Sequence, residues 1–144
     1  MPLQSTGAPL IRFQDIWPSQ HCLRPETWEE RMSSFEDLDV WQRAVALSAE
    51  LYKGLRGLRD YSFKDQLTRA GLSIASNIAE GMERDGKAER VRYLTISRSS
   101  CGEVRTQVYV GIEIGYVDRD RGQRWIRESR EISAMLVGLS RSIT

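Results

Sequence analysis

Residues 66–81 read Gln-Leu-Thr-Arg-Ala-Gly-Leu-Ser-Ile-Ala-Ser-Asn-Ile-Ala-Glu-Gly, a run without proline that decides the fold class. Its apolar and smallest residues recur at spacings of three and four, which places them on one face of an α-helix. These positions are Leu67, Ala70, Gly71, Ile74, Ile78 and Gly81. Because so many side chains here are small, a neighbouring helix is expected at the lower end of the usual ~8–10 Å interaxial range. The run therefore predicts a tightly packed core helix.

Polar residues interrupt this helix in two ways. Asn77 falls on the apolar face, where an amide without hydrogen-bond partners costs about 1–3 kcal/mol. We therefore expect Asn77 to hydrogen-bond across to another helix. A second, polar stripe of the same spacing flanks the core face. It consists of Arg69, Ser73, Ser76 and Glu80.

Three further stretches have helical periodicity, and none of the residues after Pro25 is a proline. The first helix is predicted over 38–55 with Asp37 as its N-cap, and the second over 63–81 after the Ser62 to Asp65 start signal. The third follows a cap at Asp85 and ends before Gly115, and the fourth follows Asp118. In the first helix the inward-facing residues are expected to be Trp41, Ala44, Val45, Ser48, Leu51, Tyr52 and Leu55. Short loops between four such helices predict an all-α, up-down-up-down antiparallel four-helix bundle.

The bundle is expected to occupy residues 35–144 of this 144-residue chain, which is long enough for one core. Residues 1–34 contain all four prolines and lack periodicity, so they predict a flexible extension. Met32 stands just before the domain like a natural start. This supports the hypothesis that the upstream segment is absent from the natural protein. Detection of peptides from residues 1–31 by mass spectrometry would refute this hypothesis.

Charge and cysteine usage favour a protein of the reduced cytoplasm. The net charge is +1, and residues 35–144 carry 18 basic and 16 acidic residues, so bulk charge does not decide for or against nucleic acid. Arginine outnumbers lysine 18 to 3. Either a role in phosphate contacts or a genomic codon bias explains this ratio. Two cysteines make no disulfide framework. A signal peptide and a membrane-spanning run are both missing from the sequence, so we expect no membrane association.

Residue types disfavour an enzyme. The only histidine, His21, precedes the bundle, so the Glu-x-x-His pairs of a di-iron bundle cannot be built. Glycine-rich nucleotide-binding patterns are also missing, and we expect no metal or cofactor. Three carboxylates are expected to face inward and form structural ion pairs with arginines such as Arg69 and Arg98. They are Glu80, Glu103 and Glu113. Cys101 lies on the core stripe and is interpreted as a small hydrophobe.

The remaining candidate for function is a basic surface around the turn into the third helix. Residues 84–105 contain six basic and three acidic residues. The candidate nucleic-acid-binding residues are Arg84, Lys87, Arg90, Arg92 and Tyr93. The arginines would meet a phosphate backbone electrostatically, and the tyrosine would stack on a base. A second arginine-rich run over 119–130 is interpreted as a solvated face with ion pairs such as Arg127 with Glu131.

The motif residues resemble a known family. Gln66-Leu67, Arg69-Ala70, Ser73-Ile74 and the run 77–81 (Asn-Ile-Ala-Glu-Gly) are similar to the signature of the 23S rRNA intervening sequence proteins, whose relatives include the accessory variability protein of diversity-generating retroelements. Further matches lie at 35–38, at 98–100 with Glu103, and at 132–139. The resemblance implies a four-helix bundle that forms a ring-shaped pentamer. It also implies structural or interface roles for Gln66, Arg69, Asn77, Glu80, Gly81, Arg98 and Glu103.

Together these observations predict a non-catalytic, oligomeric bundle that serves as an RNA-binding or ribonucleoprotein accessory factor. The expected partners are further copies of the chain, in a homopentamer, with structured RNA or a reverse-transcriptase-type protein. The alternative is a scaffold for protein interactions that binds no nucleic acid.

Overall fold

The computed structural model describes residues 34–144, and the predictions made for residues 1–33 lie outside this range. A short 3-10 turn at Phe35–Asp37 precedes α1, and four helices make up the rest. They are α1 Asp39–Gly54, α2 Tyr61–Met82, α3 Lys87–Glu113 and α4 Arg119–Ile143. Within the described residues the secondary structure is helical without strands. The prediction of an all-α four-helix bundle is therefore confirmed.

Each helix packs against the helices next to it in a closed order, with α2 and α4 both lying between α1 and α3. At one end of the α2–α3 pair Gly81 lies against Tyr93, and at the other Gly111 lies against Phe63, so this pair runs antiparallel. In the same way, Gly54 of α1 lies against Trp125 of α4, while Arg43 binds Glu128 further along that helix. The helices α1 and α4 are therefore antiparallel too.

The helix starts were predicted with mixed success. Asp118 caps α4 as expected, because its Oδ2 accepts a hydrogen bond of 3.1 Å from the Arg121 N–H. Asp37 does not cap α1, since it belongs to the 3-10 turn and Leu38 takes the cap position. The cap of α2 is Asp60 instead of Ser62, with its Oδ1 3.1 Å from the Phe63 N–H.

The start of α3 also differs from the prediction by one residue. Gly86 takes the cap position that was expected of Asp85. Glycine is an acceptable N-cap, because its backbone adopts the extended conformation that this position needs. The difference shortens α3 at its start and leaves Asp85 exposed in the turn.

The core is built from the predicted apolar stripes, with Trp125 and a layer of leucine, isoleucine and valine side chains almost fully buried. One predicted core residue is misplaced: Tyr52 is 47% exposed, because it lies at the edge of the α1 stripe. Two buried hydroxyls bond to backbone carbonyls of neighbouring helices. Ser97 Oγ donates to the Ile74 carbonyl at 2.8 Å, and Ser129 Oγ donates to the Cys101 carbonyl at 3.0 Å. Small polar residues therefore connect helices where the backbones come close.

Asn77 does not bond across helices as predicted. Its Nδ2 donates within α2 to the Ser73 carbonyl at 2.8 Å and to Ser73 Oγ at 2.9 Å. The reason is geometric, because residues four apart lie one above the other on a helix. The link to α3 passes instead through Ser73, whose Oγ lies 2.8 Å from Ser100 Oγ.

Candidate nucleic-acid interface

The turn between α2 and α3 holds the predicted basic cluster, and Gly81 sets its geometry. A Cβ atom at Gly81 would lie 2.8 Å from Tyr93 Cβ and 3.2 Å from the Arg90 carbonyl oxygen. Both atoms belong to or adjoin the α3 backbone, so neither can move aside alone. Glycine therefore allows the end of α2 and the start of α3 to approach more closely than any other residue would.

Arg84 connects the two helices at this turn. Its Nη2 donates to Glu80 Oε1 at 2.5 Å and to the Tyr93 hydroxyl at 3.1 Å, while its Cζ lies 5.1 Å from the centre of the Tyr93 ring. The hydrogen bond to Glu80 raises the pKa of Arg84 above its ordinary value. Arg90 also bonds inward, because its Nε donates to the Arg84 carbonyl at 2.5 Å.

The structure thus brings the five predicted residues together, but they have two different roles. Arg84 and Arg90 hold the turn in shape, and Tyr93 is half-buried beneath the Arg84 guanidinium. Lys87 and Arg92 are exposed and form no ion pair with any described residue. The cationic charge that this turn offers to a partner therefore comes mainly from Lys87 and Arg92.

The family-motif residues lie mostly outside the core. Five of the seven are exposed: Gln66, Arg69, Glu80, Arg98 and Glu103. The two others have internal roles, since Asn77 bonds to Ser73 and Gly81 packs against Tyr93. The α2 motif residues border α3, because Ser73 on the same stripe contacts Ser100.

The prediction that three carboxylates face inward is wrong. Glu80, Glu103 and Glu113 are all exposed. Glu80 pairs with Arg84, one turn later on its own chain, instead of Arg69 or Arg98. On the flank of a helix a residue four positions away is nearer than any residue of the neighbouring helix, which explains this choice of partner.

Cys101 is fully buried, as its position on the core stripe predicted. Burial raises the pKa of its thiol to about 11, so the thiolate needed of a nucleophile is disfavoured at neutral pH. Residues 34–144 also bring together no group of three or more histidine, cysteine or acidic side chains that could hold a metal ion. In the same range, none of the helices combines the length and apolar composition needed to cross a membrane.

Sequence reasoning missed a second basic surface, which is formed by arginines of α3 and α4 such as Arg105 and Arg130. The 119–130 run was interpreted as a face with its own ion pairs, but Glu131 pairs with Arg43 of α1 instead of Arg127. Arg43 also binds Glu128 through two hydrogen bonds of 2.7 Å, and hydrogen bonding to Glu128 is the largest cause of the raised pKa of Arg43. The signal that could have found this surface is the Arg98 and Arg105 spacing on α3, which places both on one helical stripe.

These features define an all-α four-helix bundle with an apolar core and an outer surface on which the charged motif residues are displayed. Residues 36–138 match the family described as 23S rRNA-intervening sequence protein, and the chain belongs to that family. It is also similar to a solved protein of unknown function from the S23 ribosomal protein family of Bacteroides thetaiotaomicron, with a TM-score of 0.66 and 22% identity. The match covers 70% of this chain and 97% of that one, and it supports the fold. No curated protein matches the chain.

Proposed function

We propose that the protein is a non-catalytic, self-associating RNA-binding accessory factor. The observation that carries this proposal is the basic turn between α2 and α3, where Lys87 and Arg92 are exposed without an ionic partner among the described residues. Arg84 and Arg90 hold that turn in a fixed shape, so ordering it on binding costs little conformational entropy. The family description, which refers to 23S rRNA, favours RNA over other polyanions.

Such a turn recognises the phosphate backbone more than the base sequence. Lysine and arginine side chains that neutralise phosphates release counterions, so affinity falls as salt rises. Tyr93 is half-buried under Arg84, so stacking on a base would require its exposed edge or a shift of Arg84. We therefore propose salt-sensitive binding of structured RNA with little sequence preference.

Self-association is proposed through the outer side of α2 and α3. On α3 a single helical stripe carries Ile96, Val110 and Ile114, which are 39%, 47% and 51% exposed. The stripe runs next to α2, because Ser100 lies on it and contacts Ser73. Gln107 shares this stripe, and its buried Oε1 accepts no hydrogen bond from a described residue. A second copy of the chain would cover the apolar side chains and offer a donor to Gln107, as expected for the proposed homopentamer.

RNA binding is tested by fluorescence anisotropy with a labelled stem–loop RNA over about 50 to 200 mM salt. The variant Lys87→Glu/Arg92→Glu is expected to bind at least about tenfold more weakly than the wild type at low salt. The matched control is Arg56→Glu/Arg59→Glu, which makes the same charge change at exposed positions of the α1–α2 loop, at the opposite end of the bundle. Wild-type protein that binds neither RNA nor DNA at low salt would favour the scaffold alternative, in which the same surface recruits a protein such as a reverse transcriptase.

Self-association is tested by light scattering at micromolar concentration. A pentamer of this 16.5 kDa chain has a mass of about 82 kDa, five times the mass of one copy. Replacing Val110 and Ile114 with aspartate is expected to lower the mass, because two exposed apolar side chains of the stripe would become charged. A single-chain mass for the wild-type protein would end this part of the proposal.

A further inference from the structure

A ribbon of arginines follows the outer side of the α3–α4 pair. On α3, Arg98, Arg105 and Tyr109 recur at spacings of seven and four and so lie on one stripe. This stripe borders α4, because Arg105 Nη1 lies 3.3 Å from Ser129 Oγ and Arg130 Nη2 donates to the Tyr109 hydroxyl at 3.1 Å. We call these residues and the exposed arginines of the facing side of α4 the arginine ribbon. Its members are Arg98, Arg105, Tyr109, Arg119, Arg127, Arg130 and Arg141.

The acidic and basic side chains in the middle of α4 differ in their partners. Glu128 and Glu131 both turn towards α1, where Arg43 binds them. Arg127 and Arg130 are close to these carboxylates along the helix but form no ion pair with them, because Arg43 binds both carboxylates. None of the ribbon arginines forms an ion pair within residues 34–144. The ribbon arginines therefore have no carboxylate partner among the described residues, instead of forming the self-compensated face that the sequence predicted, although the exposed Asp120 lies beside Arg119 in the sequence.

The ribbon is long, and the surface between its arginines is open. At a rise of 1.5 Å per residue, Arg119 and Arg141 lie about 33 Å apart along α4, with Arg127 and Arg130 between them. Between these arginines the surface is open, because a Cβ at Gly138 would have no described atom within 4 Å and one at Gly102 would meet only Arg105 Nη2 at 3.9 Å. An extended row of phosphates fits this shape better than a single small anion, since the two ends of the row lie about 33 Å apart.

Tyr109 adds an aromatic surface to this row of charges. Its side chain is 44% exposed, and its hydroxyl accepts a hydrogen bond from Arg130. An exposed tyrosine between arginines is suited to stack on an unpaired base, because every base offers a π-face. The combination fits a folded RNA in which a helical stem adjoins unpaired nucleotides.

We infer that the arginine ribbon is a second phosphate-binding surface of the protein, and that it takes the backbone of an RNA stem–loop with an unpaired base on Tyr109. This inference rests on the proposed RNA-binding function and extends the RNA contact from the α2–α3 turn to the α3–α4 pair. The surface proposed for self-association lies on the other flank of α3. Both can therefore be used at once.

The test compares charge reversals in the full chain with the same stem–loop RNA. Arg98→Glu/Arg127→Glu changes two exposed ribbon residues for which the structure shows no hydrogen bond to a described residue. The control is Arg56→Glu/Arg59→Glu, with an identical change of charge. We expect the ribbon variant to bind at least about tenfold more weakly and to lose about two from the slope of log affinity against log salt, because each phosphate contact contributes ~0.9. Unchanged melting and unchanged mass by light scattering show that both variants fold and assemble.

The outcomes separate the two proposals. If the wild-type protein binds no RNA at low salt, the proposed function fails and the ribbon loses its ligand. If the wild type binds and the ribbon variant behaves like the control, RNA binding stands and the ribbon inference is overturned. A ribbon variant whose mass changes shows that this surface joins copies of the chain, which also overturns it.

Tyr109→Ala supplies an independent check on the aromatic part. It is expected to weaken binding of the stem–loop about fivefold or more while leaving a blunt duplex unaffected, because only the stem–loop offers an unpaired base. Tyr52→Ala is the matched control, since Tyr52 has a similar exposure of 47% on α1. Equal effects of Tyr109→Ala on both RNAs would exclude base stacking at this position.

Discussion

Replacing Gly81 with alanine tests the close approach of α2 and α3 directly. The new Cβ would lie 2.8 Å from Tyr93 Cβ and 3.2 Å from the Arg90 carbonyl oxygen. Neither atom is the end of a flexible side chain, so the two helices must move apart by several tenths of an ångström. The Arg84 contacts with Tyr93 would be disturbed by the same movement.

The expected change is the difference of two opposing effects. Overpacking of this kind costs about 1–3 kcal/mol. Alanine in a helix is more favourable than glycine by roughly 0.5–1 kcal/mol, and the gain is at the lower end here because Gly81 lies next to the end of α2. Gly81→Ala should therefore lower the free energy of unfolding by about 1–2 kcal/mol. The matched control, Gly138→Ala, adds a methyl group in open space and should raise it by about 0.5–1 kcal/mol.

Urea denaturation followed by far-UV circular dichroism measures both variants. With a slope of about 1–3 kcal/mol per molar urea, the two midpoints should lie roughly 0.5–3 M apart and on opposite sides of the wild type. An equal stabilisation by both alanines would refute the reasoning, because it would mean that α2 and α3 leave room for a methyl group at Gly81.

Three further predictions concern other contacts. Arg43→Met should lower stability by about 1 kcal/mol in chemical denaturation, since it unpairs Glu128 at a partly screened site; adding Glu128→Gln should restore most of the loss. Burial raises the pKa of the Cys101 thiol from 9.0 to about 11. The contribution of the protonated thiol to folding stability is therefore complete below pH 9 and is lost as pH rises to about 11. Melting curves of a Cys101→Ala variant should lack this loss of stability between pH 9 and about 11. Asp118→Ala should cost about 1 kcal/mol of thermal stability by removing the cap on Arg121 N–H, and a neutral result would contradict that role.

The two proposed surfaces use opposite flanks of α3. Ile96, Val110 and Ile114 lie on the flank next to α2, and Arg98 and Arg105 lie on the flank next to α4. This division would let copies of the chain associate while each keeps a cationic surface free for RNA. Combining a Val110→Asp/Ile114→Asp change with RNA-binding measurements would show how far affinity depends on assembly.

The sequence alone predicted the class of fold because helix formation and burial follow a local period. Leu67, Ile74 and Ile78 recur at helical spacing, and the structure buries all three. The Asp118 cap and the buried Cys101 were likewise local inferences, because each needs only its position relative to the nearest helix. The predicted cap positions were wrong at the other three helices, whose caps are Leu38, Asp60 and Gly86.

Only the tertiary structure decided which charged side chains remain available to a partner. The choice of Arg43 as partner for Glu128 and Glu131 joins residues far apart in the chain, and it depends on which helices become neighbours and how each is rotated. The same choice leaves Arg127 and Arg130 without carboxylate partners among the described residues. Helical spacing determines which side chains share a face, but packing determines which faces meet, and that is why the arginine ribbon became visible only in three dimensions.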